Sequence, residues 1–563
     1  MHNPVKQATD QLETLIQAAA RSAMEDGSLP GCELPDFVVE IPGDTKFGDF
    51  ASNVAMVSAR AFRMAPQKIA QVILEHLDFS DSLFVRAEVA GPGFLNFFLA
   101  PRWFGSVLEG IAEDGDSYGR SDYGKKEKIM IEFVSANPTG PMHMGNARGG
   151  AIGDCLASAM DAAGYDVTRE FYINDAGNQI EKFAKSLEAR YLQIYKGEDA
   201  IEFPEDGYHG EDIKERAQEF ADLHGDKYLD KPEQERRQAL VDYALPRNIQ
   251  KLHDDLEKYR IVYDVWFRES TLHESGAVNE AIEALKKRGL AYEREGAVWY
   301  KATEFGAEKD EVLVRQNGNP TYFAADIAYH YNKFAVRGFS RCINVWGADH
   351  HGHVARLKGA MDAIGLDGSK LDIILMQLVR LMKDGEPYRM SKRTGKSITL
   401  GDILEEIPID AARFFFNMRE AGSALDFDLD LAVEQSSQNP VYYVQYAHAR
   451  ICSIEKKLLS EKITYDPAQT ELQKLTEPGE IELIRRLAGL PGEIIEAARS
   501  YDPARLTHYA IDVATLFHKF YNACRVVGED EGLMQARIML CMTTRQVLRN
   551  VLRLLKINAP ETM

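Results

Sequence analysis

Hydrophobic positions fall into three regimes along the chain. In the first, Leu12, Ile16 and Ala19 recur at helical spacing and lead into the strand-like run DFVVEIP. A helical segment is predicted around residues 50–77. FVRAEVA and FLNFFLA, separated by Gly91-Pro92-Gly93, then read as a β-hairpin whose turn chemistry outweighs any phosphate-loop reading. The charged stretch SDYGKKEK reads as a linker. From about residue 120, nearly continuous apolar runs (IMIEFV at 129–134, CINVWGA at 342–348, LDIILMQLV at 371–379) alternate with helical patterns. Such runs suit central strands of a parallel sheet, and the alternation suits a doubly wound nucleotide-binding fold. Residues 195–240 are charged and poorly periodic, and read as a solvated surface excursion with helical pieces. From about 436 onward, apolar residues recur at three and four through 438–459, 480–499, 503–527 and 531–556, the pattern of a helical bundle.

These regimes predict an α/β module over 1–118, a Rossmann-like catalytic body over 119–435 with insertions at about 195–300, and an all-α bundle over 436–563. A length of 563 residues is consistent with several domains. No stretch approaches 18 consecutive apolar residues, and the first thirty resemble no signal peptide, so no membrane association and a cytoplasmic location are expected. The six cysteines form no C-x-x-C pair, so they are expected as free thiols. The net charge of −21 argues against a nucleic-acid coat protein. It leaves open a local basic patch, because phosphate attraction acts over about 10 Å at ordinary salt.

The segment Glu132-Phe-Val-Ser-Ala-Asn137-Pro-Thr-Gly-Pro-Met-His143-Met-Gly145-Asn146-Ala-Arg-Gly-Gly150 carries the first chemical signal. A buried strand ends in a loop with two prolines, and a helix begins near His143. A helix start at the end of a strand presents N–H groups and a positive dipole end, which suit phosphate. Gly145 lets a nucleotide approach the backbone where a Cβ would block it. His143 and Asn146, three apart, can each donate to a phosphoryl oxygen. The second signal is residues 380–396, where six cations and two acids interrupt an acidic protein. Gly385, Pro387 and Gly395 make this a loop able to close on a triphosphate as charge builds.

Together, P-M-H-M-G-N and Arg389-Met390-Ser391-Lys392 resemble the HIGH and KMSK motifs of class I aminoacyl-tRNA synthetases, separated by roughly 245 residues. The flanking text EFVSANPTGPMHMGNARGG, VWGADHHGH, RMSKRTG, NPVYYVQYAHARI and FHKFYNACRV is similar to bacterial arginyl-tRNA synthetases. FGDFASN and EVAGPGFLNF resemble that family's N-terminal tRNA-contacting domain, so the likeness spans nearly the whole chain. Two positions depart from the motifs. Asn146 replaces the second histidine, keeping a donor without a titratable charge, and Arg389 replaces the first lysine, keeping the cation with a different geometry.

The resemblance implies an arginine–tRNA ligase that uses ATP with substrate-borne Mg²⁺, L-arginine and arginine-specific tRNA; a monomer is expected. It implies that His143, Asn146 and Lys392 are catalytic, and that Gly145, Arg389, Met390, Ser391 and Arg393 bind ATP. Glu132, Asn137, Tyr322, Asp326, Asp349 and His350 match arginine-binding positions, and Tyr322 and Asp326 share one helix face. A buried Glu132 demands a cation, which bound arginine is expected to supply. Asp349-His350-His351-Gly-His353 could instead hold a metal, so a metal-dependent hydrolase is an alternative, although the spacing matches no usual zinc pattern. In the last helix Arg545, Arg549 and Arg553 fall at four-residue steps, and Tyr442, Tyr443, Tyr446 and His448 offer ring faces. Tyr442, Tyr446 and the three arginines are thus expected to contact tRNA. A non-catalytic, synthetase-like tRNA-binding protein and a synthetase of another specificity are the remaining alternatives.

Overall fold

The computed structural model describes residues 1–388, 399–528 and 530–563. Its first helix spans Pro4–Glu25, opened by Asn3, whose side chain accepts from the Lys6 N–H, and by Pro4 in the first turn. Leu12, Ile16 and Ala19 are buried, as their spacing requires. They cover an antiparallel sheet of β1 (Val39–Glu40), β2 (Phe50–Ser52), β3 (Phe84–Ala90) and β4 (Phe94–Leu99) in the order β1-β2-β4-β3. The hairpin of β3 and β4 stands as expected, with Gly91 and Gly93 at φ of 53° and 129°. The predicted helical run at 50–77 begins instead as β2. It then breaks into Val54–Phe62 and Pro66–Glu75, because Arg63 turns left-handed and Pro66 starts a new helix. A further helix, Pro101–Asp114, lacked a clear signal because Gly105 and Gly110 interrupt its pattern. Both glycines are close-packing sites, where a Cβ would lie 3.2 Å from Leu472 and 2.9 Å from His2.

The central sheet contains β5 (Lys128–Glu132), β6 (Asp166–Ile173) and β7 (Val265–Arg268). A small antiparallel sheet of β8 (Ala291–Arg294), β9 (Ala297–Tyr300) and β10 (Glu311–Val314) precedes β11 (Arg341–Gly347) and β12 (Leu371–Met376). The order β12-β11-β5-β6-β7 is parallel throughout. Strand order reverses between β5 and β11, the point where an open α/β sheet forms its crevice. Beyond it, β13 (Val379–Lys383) pairs with β14 (Glu386–Pro387) and, in parallel, with β15 (Leu425–Asp428).

The insertion is more than a solvated excursion. Helices Asn178–Lys196, Glu211–His224 and Glu233–Lys258 enclose a core of their own, with Phe183, Leu187, Tyr191, Ile213, Phe220 and Leu240 buried. The C-terminal bundle contains the helices Pro440–Ser460, Pro478–Ala488, Leu490–Ser500, Ala504–Ala523 and Glu531–Leu554. The single segment expected at 480–499 is two helices, divided at Gly489 ahead of Pro491. Among the described residues no helix is long and apolar enough to cross a membrane.

One buried cation joins these parts. Arg413, fully buried, donates to Asp154 Oδ2 at 2.6 Å, to the Tyr259 carbonyl at 3.0 Å and to the Leu555 carbonyl at 2.9 Å. It thereby ties the helix following β5 to the end of the last bundle helix. Truncating one partner of such a pair leaves a buried charge poorly compensated. Arg413→Met is expected to destabilise the first transition in urea unfolding by about 3–5 kcal/mol; an unchanged midpoint would assign the seam to apolar packing alone.

Candidate active site

The crevice at the carboxyl ends of β5 and β11 opens into a cavity of about 1500 Å³. Glu132, Asn137, His143, Gly145, Asn146, Asp326, Asp349 and His350 all line it. Residues from stretches some two hundred positions apart thus meet at one crevice. Tyr322 lies behind the wall, its phenol oxygen accepting the N–H of Gln179, which does line the cavity.

The phosphate-binding expectation rests on the start of the helix Met144–Ala162. His143 is the N-cap residue in extended conformation rather than the first helical residue, and it is exposed to the cleft rather than buried in the core. Asn146 reaches back so that its Oδ1 accepts the His143 N–H at 2.9 Å. Its amide N–H groups therefore remain as donors for the cleft. A Cβ on Gly145 would meet no protein atom within 4 Å, so its space belongs to the cavity.

Arg389, Met390, Ser391, Lys392 and Arg393 lie outside the described residues, but both flanks of that segment are placed. Tyr388 donates its N–H to the Leu381 carbonyl at 2.8 Å. On the other side Thr399 forms an antiparallel bridge with His143, and Leu400 donates to the Met142 carbonyl at 2.8 Å. The chain emerging from the basic segment is thus tied to the start of the helix that bears Gly145 and Asn146.

The acidic side of the cavity is built on an unusual turn. Val134 and Ser135 follow β5 with φ of 68° and 41°, both left-handed, a conformation costly for a β-branched residue. The turn brings Ser135 Oγ to Glu132 Oε1, to which it donates at 3.0 Å, while it accepts the Tyr172 N–H at 3.1 Å. Glu132 also accepts from Lys333 Nζ at 2.6 Å, and Lys333 is fully buried. The cation that Glu132 demands is therefore supplied by the chain itself, correcting the expectation that only a ligand would supply it. Asp326 Oδ2 accepts from His353 Nε2 at 3.0 Å. The buried His330 sits with Nδ1 2.8 Å from the Asp326 carbonyl, and burial holds its pKa well below the usual histidine value. Asp349 and His350 stand at the rim, with side chains 83% and 60% exposed.

Gln179 and Tyr208, which line the cavity, and Lys333, which lies behind it, are residues that the sequence reading passed over, and His353 was weighed only as a metal ligand. Lys333 could have been found, because an acid in an apolar strand needs a partner and a lysine closes the run DIAYHYNK. Tyr208 could not, because it arrives from the insertion and donates its hydroxyl to Gln179 Oε1. Among the described residues no three His, Cys, Asp or Glu side chains converge to hold a metal. In the DHHGH cluster, His353 instead pairs with Asp326.

At the C-terminal bundle, Tyr442 and Tyr446 stack in parallel with ring centres 6.3 Å apart, and Tyr446 is 38% exposed. His448 offers no such face: it is buried, with Nδ1 2.8 Å from the Pro560 carbonyl. Arg545, Arg549 and Arg553 form the expected stripe, yet their partners lie within the chain. Arg545 pairs with Glu455, and Arg549 and Arg553 both pair with Asp116, at 2.5 Å and 3.4 Å for the closest ion contacts. The stripe thus clasps the bundle to the segment after the helix Pro101–Asp114, while the side chains of Arg549 and Arg553 stay 48% and 51% exposed.

Comparisons with known proteins match this architecture part by part. The family described as "Arginyl tRNA synthetase N terminal domain" matches residues 10–99, "tRNA synthetases class I (R), catalytic domain" matches 109–451, and "DALR anticodon binding domain" matches 444–563. The fold and its crevice are those of a class I aminoacyl-tRNA synthetase. The arginine–tRNA ligases of Acetivibrio thermocellus and Ruminiclostridium cellulolyticum are 54% and 55% identical to the chain over 564 aligned residues, covering all of each protein. The solved arginyl-tRNA synthetase of Thermus thermophilus superposes with a TM-score of 0.72 over 98% of this chain and 100% of its own, at 23% identity, a likeness of fold. The chain belongs to the arginyl-tRNA synthetase family.

The Val134–Ser135 turn yields a test of its own. Ser135→Ala and Ser135→Gly lose the same two hydrogen bonds, but only glycine adopts φ of 41° without strain. Both variants are expected to unfold earlier than the parent by about 1–3 kcal/mol, with the glycine variant the more stable of the two by about 1 kcal/mol. Identical thermal midpoints for the two variants would show that the turn stores no backbone strain.

Proposed function

We infer that the chain is an arginine–tRNA ligase, which activates L-arginine with ATP and transfers it to the terminal ribose of its tRNA. One observation carries this reading above the rest. Thr399, three residues beyond Lys396, bridges to His143, and His143 lines the same cavity as Glu132 and Asp326. A triphosphate grip and an acidic hole suited to a planar cation therefore share one crevice.

In the proposed first step the arginine carboxylate attacks the α-phosphorus of ATP, and pyrophosphate leaves. No covalent bond to the protein is needed, so the residues contribute position and charge. The helix start, His143 and the Asn146 amide donate to phosphate oxygens, and Gly145 leaves room for the nucleotide. Lys392 steadies the charge that builds on the departing phosphates, and Arg389, Met390, Ser391 and Arg393 contribute to ATP binding. Asp326 and Glu132 face the guanidinium beside Tyr322, Asn137 receives the α-amino group, and Asp349 and His350 stand next to the substrate at the rim. Mg²⁺ bound to the triphosphate would neutralise phosphate charge. In the second step the ribose hydroxyl of the tRNA attacks the acyl carbon. Tyr442 and Tyr446, whose rings stack with centres 6.3 Å apart, would stack on unpaired bases of the tRNA. We read the enzyme as a monomer of the cytoplasm.

The decisive measurement is ATP–pyrophosphate exchange with each amino acid, with and without arginine-specific tRNA. Arginine-dependent exchange is expected; its absence in both arms would leave only a tRNA-binding protein. Lys392→Ala is expected to slow exchange by about two orders of magnitude or more while arginine affinity stays nearly constant. Asp326→Ala is expected to raise the arginine KM by about tenfold or more, because a charge-assisted contact is lost. An unchanged arginine KM in that variant would remove Asp326 from the pocket.

A further inference from the structure

Glu132 ends the central strand of a hydrophobic sheet, yet both of its carboxylate oxygens are engaged: Oε1 by Ser135 and Oε2 by Lys333. Lys333 lies in a wide helical turn, Asn332–Val336, that continues the helix Tyr322–Tyr331. Its ammonium also donates to Asn344 Oδ1 at 3.2 Å and lies 4.2 Å from the centre of the Tyr329 ring. Asn344 stands directly beside Glu132 in the register of β11 and β5. The Asn344 amide nitrogen is 3.4 Å from His330 Nε2, and the other ring nitrogen of His330 bonds to the Asp326 backbone. Lys333 itself does not line the cavity, whereas Glu132, Asn344, His330 and Asp326 all do.

We propose that Lys333 is a positioning residue for arginine recognition: its buried ammonium keeps Glu132 ionised and aimed while the pocket is empty, and Asn344 and His330 tie that pair to the backbone of Asp326. The inference rests on the reading of Glu132 as an arginine-binding carboxylate. Without the ammonium, a carboxyl in this setting holds its proton, and arginine must drive that proton off before the two charges can meet. With it, the carboxylate waits in its binding geometry and the guanidinium displaces no proton. Two charged pairs also face this region: Glu170, beside Glu132 in the register of β6 and β5, pairs with Arg337, and Asp326 pairs with His353 on the same cavity. Burial raises the phenols of Tyr172, Tyr263 and Tyr329, pushes the Cys342 thiol up to about 12 and holds His330 well below its ordinary value. A pH effect that Lys333→Gln shows in the parent and loses in a Glu132→Gln background therefore reports on Glu132.

The test is the arginine KM of Lys333→Gln relative to the parent, measured by tRNA charging from pH 6.5 to 8.5. The ratio is expected to be about tenfold at pH 6.5 and to fall as pH rises and Glu132 ionises unaided, with the ATP KM unchanged. Lys333→Arg is expected to restore most of the loss. In a Glu132→Gln background Lys333→Gln is expected to add nothing, since it acts through Glu132. A ratio independent of pH, or a full additional effect in the Glu132→Gln background, would overturn the proposal. If Glu132→Gln alone leaves the arginine KM unchanged, the pocket reading fails; if only the Lys333 variants are silent, this proposal alone fails. Should Lys333→Gln not fold, calorimetry of arginine binding to the parent at pH 7.5, in two buffers of different ionisation enthalpy, decides. No net proton release is expected, and release of one proton per arginine would refute the preset charge.

Discussion

The close seat of one helix on one strand governs the rest of the structure. Gly153 lets the helix Met144–Ala162 approach β5 so tightly that a Cβ there would fall 2.3 Å from Phe133 Cγ. That helix is buried along almost its entire length, which leaves its N-terminus as the part that meets the cleft. Its position is fixed by charge as well as by packing. The buried Arg148 donates to the carbonyls of Gln377 and Glu420, and Asp154 accepts from both Arg169 and Arg413. A shift of the helix would leave several buried charges unpaired at once, each at a cost of kilocalories. The helix end is therefore fixed in place before any nucleotide arrives, as electrostatic preorganisation requires.

The same economy explains where the cations have gone. Although the chain carries −21, its structurally decisive acids lie inside and each has a partner: Glu132 with Lys333, Glu170 with Arg337, Asp154 with Arg413, Glu480 with Arg537. Asn344, Glu132 and Glu170 stand side by side across three neighbouring strands, so a polar row crosses an otherwise apolar sheet. Such a row is tolerable because it is hydrogen-bonded throughout, and it confers alignment that an apolar row would lack. The basic stripe of the last helix follows the same logic. Its three arginines hold the seam at two acids, Asp116 and Glu455.

What was legible in the sequence depended on how local the signal was. Strands β5, β11 and β12 announced themselves because both their faces are covered, leaving continuous apolar runs. β6 did not, since Arg169 and Glu170 interrupt it, and those charges make sense only beside Asp154 and Arg337. The residues around His143 and Gly145 were readable because strand, loop and helix start are contiguous. Glu132 was recognised as an acid in want of a cation, but the choice between a ligand and Lys333 depends on a contact across 201 residues. The insertion was misread for the opposite reason. Its helices expose charged faces while their buried face is turned inward, and Tyr208 reaches the cavity only through the tertiary placement of that small core. The arginine stripe was correctly placed on one face, and its partners were invisible because they belong to other parts of the chain.

The Val134–Ser135 turn shows how these constraints meet at the site. Two consecutive left-handed residues cost on the order of 1–3 kcal/mol each, and an ordinary strand end would avoid both. Nothing in strand propensity calls for them. The turn instead folds the chain back so that Ser135 caps the Glu132 carboxylate and satisfies the Tyr172 N–H, while Asn137 reaches the cleft mouth. Strain persists only where surrounding structure over-determines it, and here the glycine-mediated seat of the helix does so from one side and the Lys333 pair from the other. The conformation of the turn and the charge of the pocket are therefore one constraint: releasing either removes part of what holds the other.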